Sequence, residues 1–261
     1  MTAAFVIYLR NGVAVAGPGA ILGIQFVQRR IKKRTERKMN EDFKNRIVYE
    51  DRHLIVVNKP AGLAVETARV TEPDLQSHLK AYLAEGGSEN SGLFMVHRLD
   101  QPVEGLVAFA LTKNAAASLT EQLNNGGMRK IYTALVSGGI PAEEGELVDY
   151  LLRDPGKRMA LVVPKDRKGA KKAVLRYRKA GEGILEIELE TGRFHQIRAQ
   201  LAHAGMPVKG DVKYGGGDAA DSRFQRGRIA LCASALAFKH PASGKELVFE
   251  IRPSFTENSF G

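Results

Sequence analysis

From residue 46 onward the apolar positions switch repeatedly between two spacings, one suited to strands and one to helices. The run Leu54-Ile55-Val56-Val57, stopped by Lys59-Pro60-Ala61-Gly62, predicts a short buried strand from 53 to 58 and then a turn. Leu75, Leu79, Tyr82 and Leu83 recur at helical spacing, which predicts a helix over 74–84 with Asp74 at its start. Residues 106–111 predict a second buried strand. Ala116, Leu119 and Leu123 mark a second helix that Gly126-Gly127 ends. Further strands are predicted over 131–136, 173–177, 184–189, 229–238 and 247–251. Leu185, Ile187 and Leu189 alternate with Glu186, Glu188 and Glu190, so that strand has one wet face. Residues 195–204 are helical in pattern through Ile197 and Leu201. Many strands joined by short turns, with a few helices between them, predict an α+β fold: a mixed, largely antiparallel sheet with flanking helices.

The first 38 residues follow neither spacing. Val13 to Val27 carries no charge but contains Gly17-Pro18-Gly19 and Gly23, and a spanning helix needs about 20 apolar residues. The basic residues come after the apolar run, the reverse of a secretory signal, and no serine precedes residue 39. The reading adopted is a disordered basic arm over 1–38, or an extension translated ahead of Met39, with an anchor or a targeting segment as the alternatives. Residues 39–261 then form one catalytic-size domain.

Charge sharpens this division. The formal net charge is +10, and residues 1–38 hold eight basic residues against the single acid Glu36, leaving +3 for the remainder. That smaller excess suits a localised phosphate-binding surface rather than a general polyanion sponge. The single cysteine, Cys232, excludes an intramolecular disulfide and any multi-cysteine metal site, and points to a reducing cytoplasm. There is no dinucleotide fingerprint, no phosphate-cradling Gly-Lys-Ser/Thr loop, no histidine pair at ligand spacing and no nucleophile elbow. No cofactor and no metal are expected.

Two segments carry candidate chemistry. Val96-His97-Arg98-Leu99-Asp100, running through Pro102-Val103-Glu104-Gly105 into a strand, sets a basic pair and a carboxylate at a turn. In Glu190-Thr191-Gly192-Arg193-Phe194-His195-Gln196-Ile197-Arg198, Thr191 can cap a helix whose first-turn N–H groups, with Arg193 and His195, attract phosphate. His195 and Arg198 share a helix face. Taken singly, Arg98 with Asp100 is a structural ion pair, His97 a packing residue, Arg193 and Arg198 a solvated face, and Tyr132 core. Their weight comes from occurring together, in order.

Four ordered blocks resemble the RluA-type family of pseudouridine synthases. They are residues 54–62; His97-Arg98-Leu99-Asp100 with Gly105-Leu106; Lys130-Ile131-Tyr132-Thr133-Ala134-Leu135-Val136; and Thr191 to Arg198, continuing to Gly210-Asp211 and Tyr214-Gly215. A further echo is Ala230-Leu231-Cys232-Ala233. The resemblance spans about residues 46–253. It implies an isomerase that detaches uracil from ribose at N1 and reattaches it through C5, with structured RNA (rRNA or tRNA) as partner. By the same resemblance Asp100 is the carboxylate acting at the ribose and Arg198 its cationic partner. Tyr132 packs on the target base and takes or relays the C5 proton. Arg98 contacts the RNA around the vacated position, and Leu231 lies beneath the base. His97, Lys130, Arg193, His195 and Gln196 complete the substrate-binding set. Burial alone would raise the pKa of Asp100, and a paired cation is expected to reverse this.

The chain departs from the family after Asp100, where a Thr-Ser-Gly run is usual and Val103-Glu104-Gly105 stands instead. Glu104 is expected to bring a second carboxylate near the site, where it would repel phosphate. Residues 1–45 are too short for the ribosomal-protein-like domain of many relatives, so the catalytic domain is expected to find its RNA largely alone, as a monomer, with no membrane partner. Two other readings stand beside the isomerase. One is a catalytically silent RNA-assembly factor on the same scaffold. The other is a glycosidase using Asp100 and Glu104, disfavoured by their adjacency and by the absence of tryptophan.

Overall fold

The structure, a computed structural model, describes residues 5–9, 12–16, 43–68, 72–86, 92–217, 224 and 227–256. It divides into two units, 1–45 and 46–261. In the first, β1 (Phe5–Leu9) and β2 (Gly12–Ala16) pair antiparallel inside the stretch for which a disordered arm is expected. The basic cluster from Arg29 to Lys38 lies outside the described residues.

The second unit is built on one eleven-stranded sheet. Its order is β3 (Ile47–Glu50), β4 (Leu54–Lys59), β6 (Glu104–Ala110), β12 (Leu231–Lys239), β7 (Arg129–Leu135), β11 (Ile184–Leu189), β10 (Lys171–Gly181), β8 (Glu144–Asp154) and β9 (Met159–Val162). β5 (Phe94–Met95) also pairs with β6, and β13 (Glu246–Glu250) with β12. Every ladder is antiparallel except β6–β12, which runs parallel through Cys232↔Glu104 and Ala233↔Gly105. The fold is therefore α+β on a mixed, largely antiparallel sheet.

That parallel contact is unusually close. Gly105 has φ +124, and a Cβ there would meet the Ala233 backbone N and O at 2.5 Å. Only glycine fits both the backbone angle and the approach. Beside it, a register shift between Cys232 and Ala235 bends β12 as it passes β7.

Among the described residues, three α-helices flank the sheet. The first, α1 (Leu75–Glu85), starts where the spacing predicts, with Asp74 and Ser77 forming a reciprocal capping box. The second, α2 (Lys113–Asn124), is capped by Thr112 and packs on a core that includes Leu54, Val56, Leu106, Ala108, Leu119 and Phe238. The third, α3 (Gln196–His203), covers β8 and β10; Gln200 Nε2 is within hydrogen-bond distance of Leu147 O, Ala173 O and Asp149 Oδ2.

Strands β3, β5, β8 and β9 have no counterpart among the sequence predictions. In β8 the apolar residues Leu147, Val148, Leu151 and Leu152 fall on both parities, so no period of two stands out. Neighbouring strands and α3 decide its conformation instead.

Candidate active site

Asp100 sits in the loop between β5 and β6, at the sheet centre where β6, β12 and β7 meet. A buried lysine fixes this loop. Lys59, fully inaccessible at the end of β4, donates to Pro60 O at 3.0 Å, Leu63 O at 2.8 Å and Gln101 O at 3.2 Å. Burial pushes its amine down to about 7, against the pull of Asp100 and Glu104. Gly62 N–H donates to Gln101 O and Gly62 O accepts from Gln101 Nε2, so with Lys59 the turn after β4 and the Asp100 loop are held together three times.

Arg198 comes to Asp100 from the first turn of α3. Its Nη1 donates to Asp100 Oδ2 at 3.2 Å, while Nε and Nη2 make the shorter bonds, 2.6 and 2.9 Å, to the two oxygens of Asp211. Asp211 is 1% exposed. The guanidinium also lies over the Tyr214 ring, 5.0 Å from its centroid. Arg198 is thus clamped bidentately from behind and offers Asp100 one remaining donor.

This sharing alters the expected electrostatics. Asp100 does not fall below the ordinary carboxylate range: burial raises its pKa, Arg198 only partly opposes the rise, and Asp211 adds to it. The cation is divided between two carboxylates, so it does not cancel the desolvation of Asp100.

The two histidines and the tyrosine nearest this pair are neutral. Ala108 N–H donates to His97 Nε2 at 3.1 Å, and burial pushes the imidazole down to about 3. His195 occupies the N-cap position of α3 with φ 51, in the left-handed region. Its Nδ1 is 2.9 Å from the Tyr214 hydroxyl and its Nε2 3.6 Å from Asp100 Oδ2. Burial, then the nearby Arg198 and Lys213, hold His195 down to about 3. Tyr132, 7% exposed, is pushed well above its ordinary pKa by burial and by Asp100, so it is a phenol at neutral pH.

A cleft of about 780 Å³ brings these groups together. Asp100, Tyr132 and Arg198 line it, as do His97, Arg98, Lys130, Arg193, His195, Gln196 and Leu231. All ten residues singled out in the sequence therefore converge, although they span 135 positions from the first to the last in the chain. The period of two places Lys130 and Tyr132 on one face of β7, and Leu231 joins them opposite Ala134.

Comparison with known proteins places the chain in a family. A family model described as "RNA pseudouridylate synthase" matches residues 53–203. The chain belongs to the RNA pseudouridylate synthase family. It is 32% identical to tRNA pseudouridine synthase C of Vibrio cholerae, over 77% of this chain and 88% of the relative. It is 38% identical to ribosomal large subunit pseudouridine synthase D of Neisseria meningitidis, over 78% of this chain and 57% of the relative. A solved structure titled "Human RNA Pseudouridylate Synthase Domain Containing 4" shares the fold, with a TM-score of 0.68 at 22% identity, covering 83% of this chain and 92% of that one. The protein is an RNA pseudouridine synthase, an isomerase.

The structure departs from the sequence expectations at four places in this synthase. Thr191 is not the helix cap: α3 begins at Gln196, and Thr191 Oγ1 instead lies 2.7 Å from Gln196 Oε1 and accepts from Val174 N–H. Gln196 is 3% exposed and its carboxamide is committed inside the protein, accepting from Arg193 N–H and donating to Val174 O and Gln200 Oε1. It shapes the wall of the cleft rather than presenting a free amide to a ligand. Glu104 does not line the cleft; its carboxylate accepts from Ser254 N–H at 2.8 Å and Ser254 Oγ at 2.7 Å. The lowered pKa expected for Asp100 gives way to a raised one.

Asp211, Tyr214 and Lys59 were not singled out as site residues. Each lies inside a block that carries the family resemblance, and that was the only signal for it. Spacing along the chain gives no sign that Asp211 would grip Arg198 or that Lys59 would hold the Asp100 loop. Among the described residues, no group of three or more His, Cys, Asp or Glu is placed to hold a metal ion, and no helix is long and apolar enough to cross a membrane.

Proposed function

We propose that this synthase converts a specific uridine in tRNA or ribosomal RNA to pseudouridine, with Asp100 acting at the ribose of a flipped-out nucleotide. The observation that carries this is the carboxylate of Asp100 at 3.2 Å from Arg198 Nη1, in a cleft shared with the buried Tyr132. In the reaction the N1–C1′ bond breaks, the base turns, and C5 joins C1′; C5 loses a proton and N1 gains one. No electron carrier is required. Flipping costs a few kcal/mol, which contacts within the cleft must offset.

In this reading Tyr132 stacks on the base and Leu231 supports it from below. The high pKa of Tyr132 suits a neutral stacking ring and makes the phenol a poor base without assistance. Arg98 is exposed beside Asp100 and takes the RNA around the vacated position. Lys130, Arg193, His97 and His195 face the nucleotide, while Gln196 holds the Arg193 loop in place. The relatives named for tRNA and for ribosomal RNA support both substrate classes. The same reading has residues 39–261 acting as one catalytic domain, a monomer in the cytoplasm, with the basic residues of 1–38 adding non-specific attraction to RNA.

The test is pseudouridine mapping across the transcriptome in cells with the gene, without it, and with Asp100→Asn. One or a few sites should vanish on deletion, return with the wild-type gene, and stay absent with Asp100→Asn. Full return of those sites with Asp100→Asn would overturn the role of the carboxylate.

A further inference from the structure

The cations of the sheet differ by face. On the face turned away from Asp100, Arg129 pairs with Glu188, Arg176 with Glu146 and Glu190, and Arg178 with Glu186, at 2.6 to 3.0 Å. Arg153 lines the cleft on the other face. Its guanidinium has no carboxylate or hydrogen-bond partner among the described residues.

Arg153 lies instead over the Phe194 ring, 4.6 Å from the centroid. Phe194 stacks on His195, with centroids 3.8 Å apart and planes 21° apart, and His195 stands 3.6 Å from Asp100. Three contacts in file thus connect the carboxylate to an unneutralised cation. The backbone fixes this arrangement from two sides. Arg153 has the parity of Leu151 and Asp149, the residues of β8 that face α3, and the left-handed turn at His195 sets Phe194 against it. The guanidinium over the Phe194 ring keeps N–H groups free to meet a phosphate, and its outer face extends the stack with a planar surface for a base.

We propose that Arg153 and Phe194 form a second nucleotide subsite, which takes the RNA residue flanking the target uridine, its phosphate on the guanidinium and its base on the stack. This rests on the reading of the cleft as the site of an RNA uridine. It extends that reading from the reacting nucleotide to its neighbour and makes Arg153 and Phe194 determinants of sequence context.

The experiment is fluorescence-anisotropy titration of a 5′-labelled nonauridylate over a salt series. Asp100→Asn serves as host for every variant, so binding is read whether or not Asp100 is the reacting carboxylate. Arg153→Ala should weaken binding about tenfold, the scale of one lost stacking contact. It should also reduce the steepness of log affinity against log salt by about 0.7, one phosphate on a single strand. Phe194→Leu keeps the charge and should weaken binding with the salt slope unchanged. Arg178→Ala, on the opposite face, should match the host and reads the generic loss of one positive charge. Three outcomes would overturn the subsite: no binding by the host, unchanged affinity and slope in Arg153→Ala, or equal losses in Arg153→Ala and Arg178→Ala. Should Arg153→Ala fail to fold, Phe194→Leu decides: affinity equal to the host's ends the proposal.

Discussion

Two carboxylates share one guanidinium at the centre of this synthase, and their roles separate by geometry. Asp211 takes two short bonds from Arg198 and is buried; Asp100 takes one longer bond and faces the cleft. Asp211 is therefore the structural partner, and Asp100, half-buried at the cleft, is the carboxylate proposed to act at the ribose. Asp211→Asn should cost about 3–5 kcal/mol in denaturant unfolding, because it leaves a buried cation short of its counter-charge. It should also move the acid limb of the pH–rate profile to lower pH, since Asp211 raises the Asp100 pKa and Arg198 would then serve Asp100 alone. Asp100→Asn should behave oppositely in stability. A carboxyl whose folded pKa lies above its unfolded value destabilises the fold once ionised, and that cost disappears as pH falls through the folded pKa. Removing the charge should thus leave the melting temperature at neutral pH unchanged or higher while abolishing turnover. Both cleft histidines are held near 3. No histidine limb is expected between pH 5 and 8.

At the scale of elements, the site depends on two strands that approach more closely than side chains allow. β6 carries the chain out of the Asp100 loop and β12 brings Leu231 beneath the cleft, and they touch at Gly105 and Ala233. Gly105→Ala sets a Cβ into the Ala233 backbone at an unfavourable φ, so the strands must separate. A loss of at least about 2 kcal/mol is expected, with turnover falling further than RNA affinity because Asp100 shifts relative to Tyr132. Gly105 reads from sequence as a strand entry, and its family block marks it, but a close backbone contact with a residue 128 positions later has no local signature. β8 was missed for a related reason. Its apolar residues serve two faces, and only α3 and β10 on one side show which of them are core.

Across the whole molecule, charge is arranged by position more than by amount. The paired arginines of one sheet face contribute little field, whereas Arg98, Lys130 and Arg153 in the cleft lack ion-pair partners among the described residues. A second long-range tie lies away from the site. Asp51, before β4, accepts from His53 N–H and Leu54 N–H and bonds His240 Nε2 at 2.7 Å, beyond the end of β12. Burial opposes its charge, but these bonds outweigh burial and lower it to about 2. Its stabilising contribution is complete above the unfolded value near 3.8 and is lost as pH falls through about 2. Acid titration of thermal stability should show a decline in that window, and Asp51→Asn should flatten it.

The chain by itself determined the fold class, most strand and helix positions, and ten of the residues that line the cleft, because hydrophobic period and ordered blocks are local properties. Only the tertiary structure decided how those residues divide the work. It gave Arg198 first to Asp211, turned Glu104 to Ser254, enclosed the Gln196 amide, and set Arg153 over Phe194. Each of these depends on which of several chemically equivalent partners lies nearest once the sheet has closed. Distance and desolvation make that choice, and neither is encoded by spacing along a single segment.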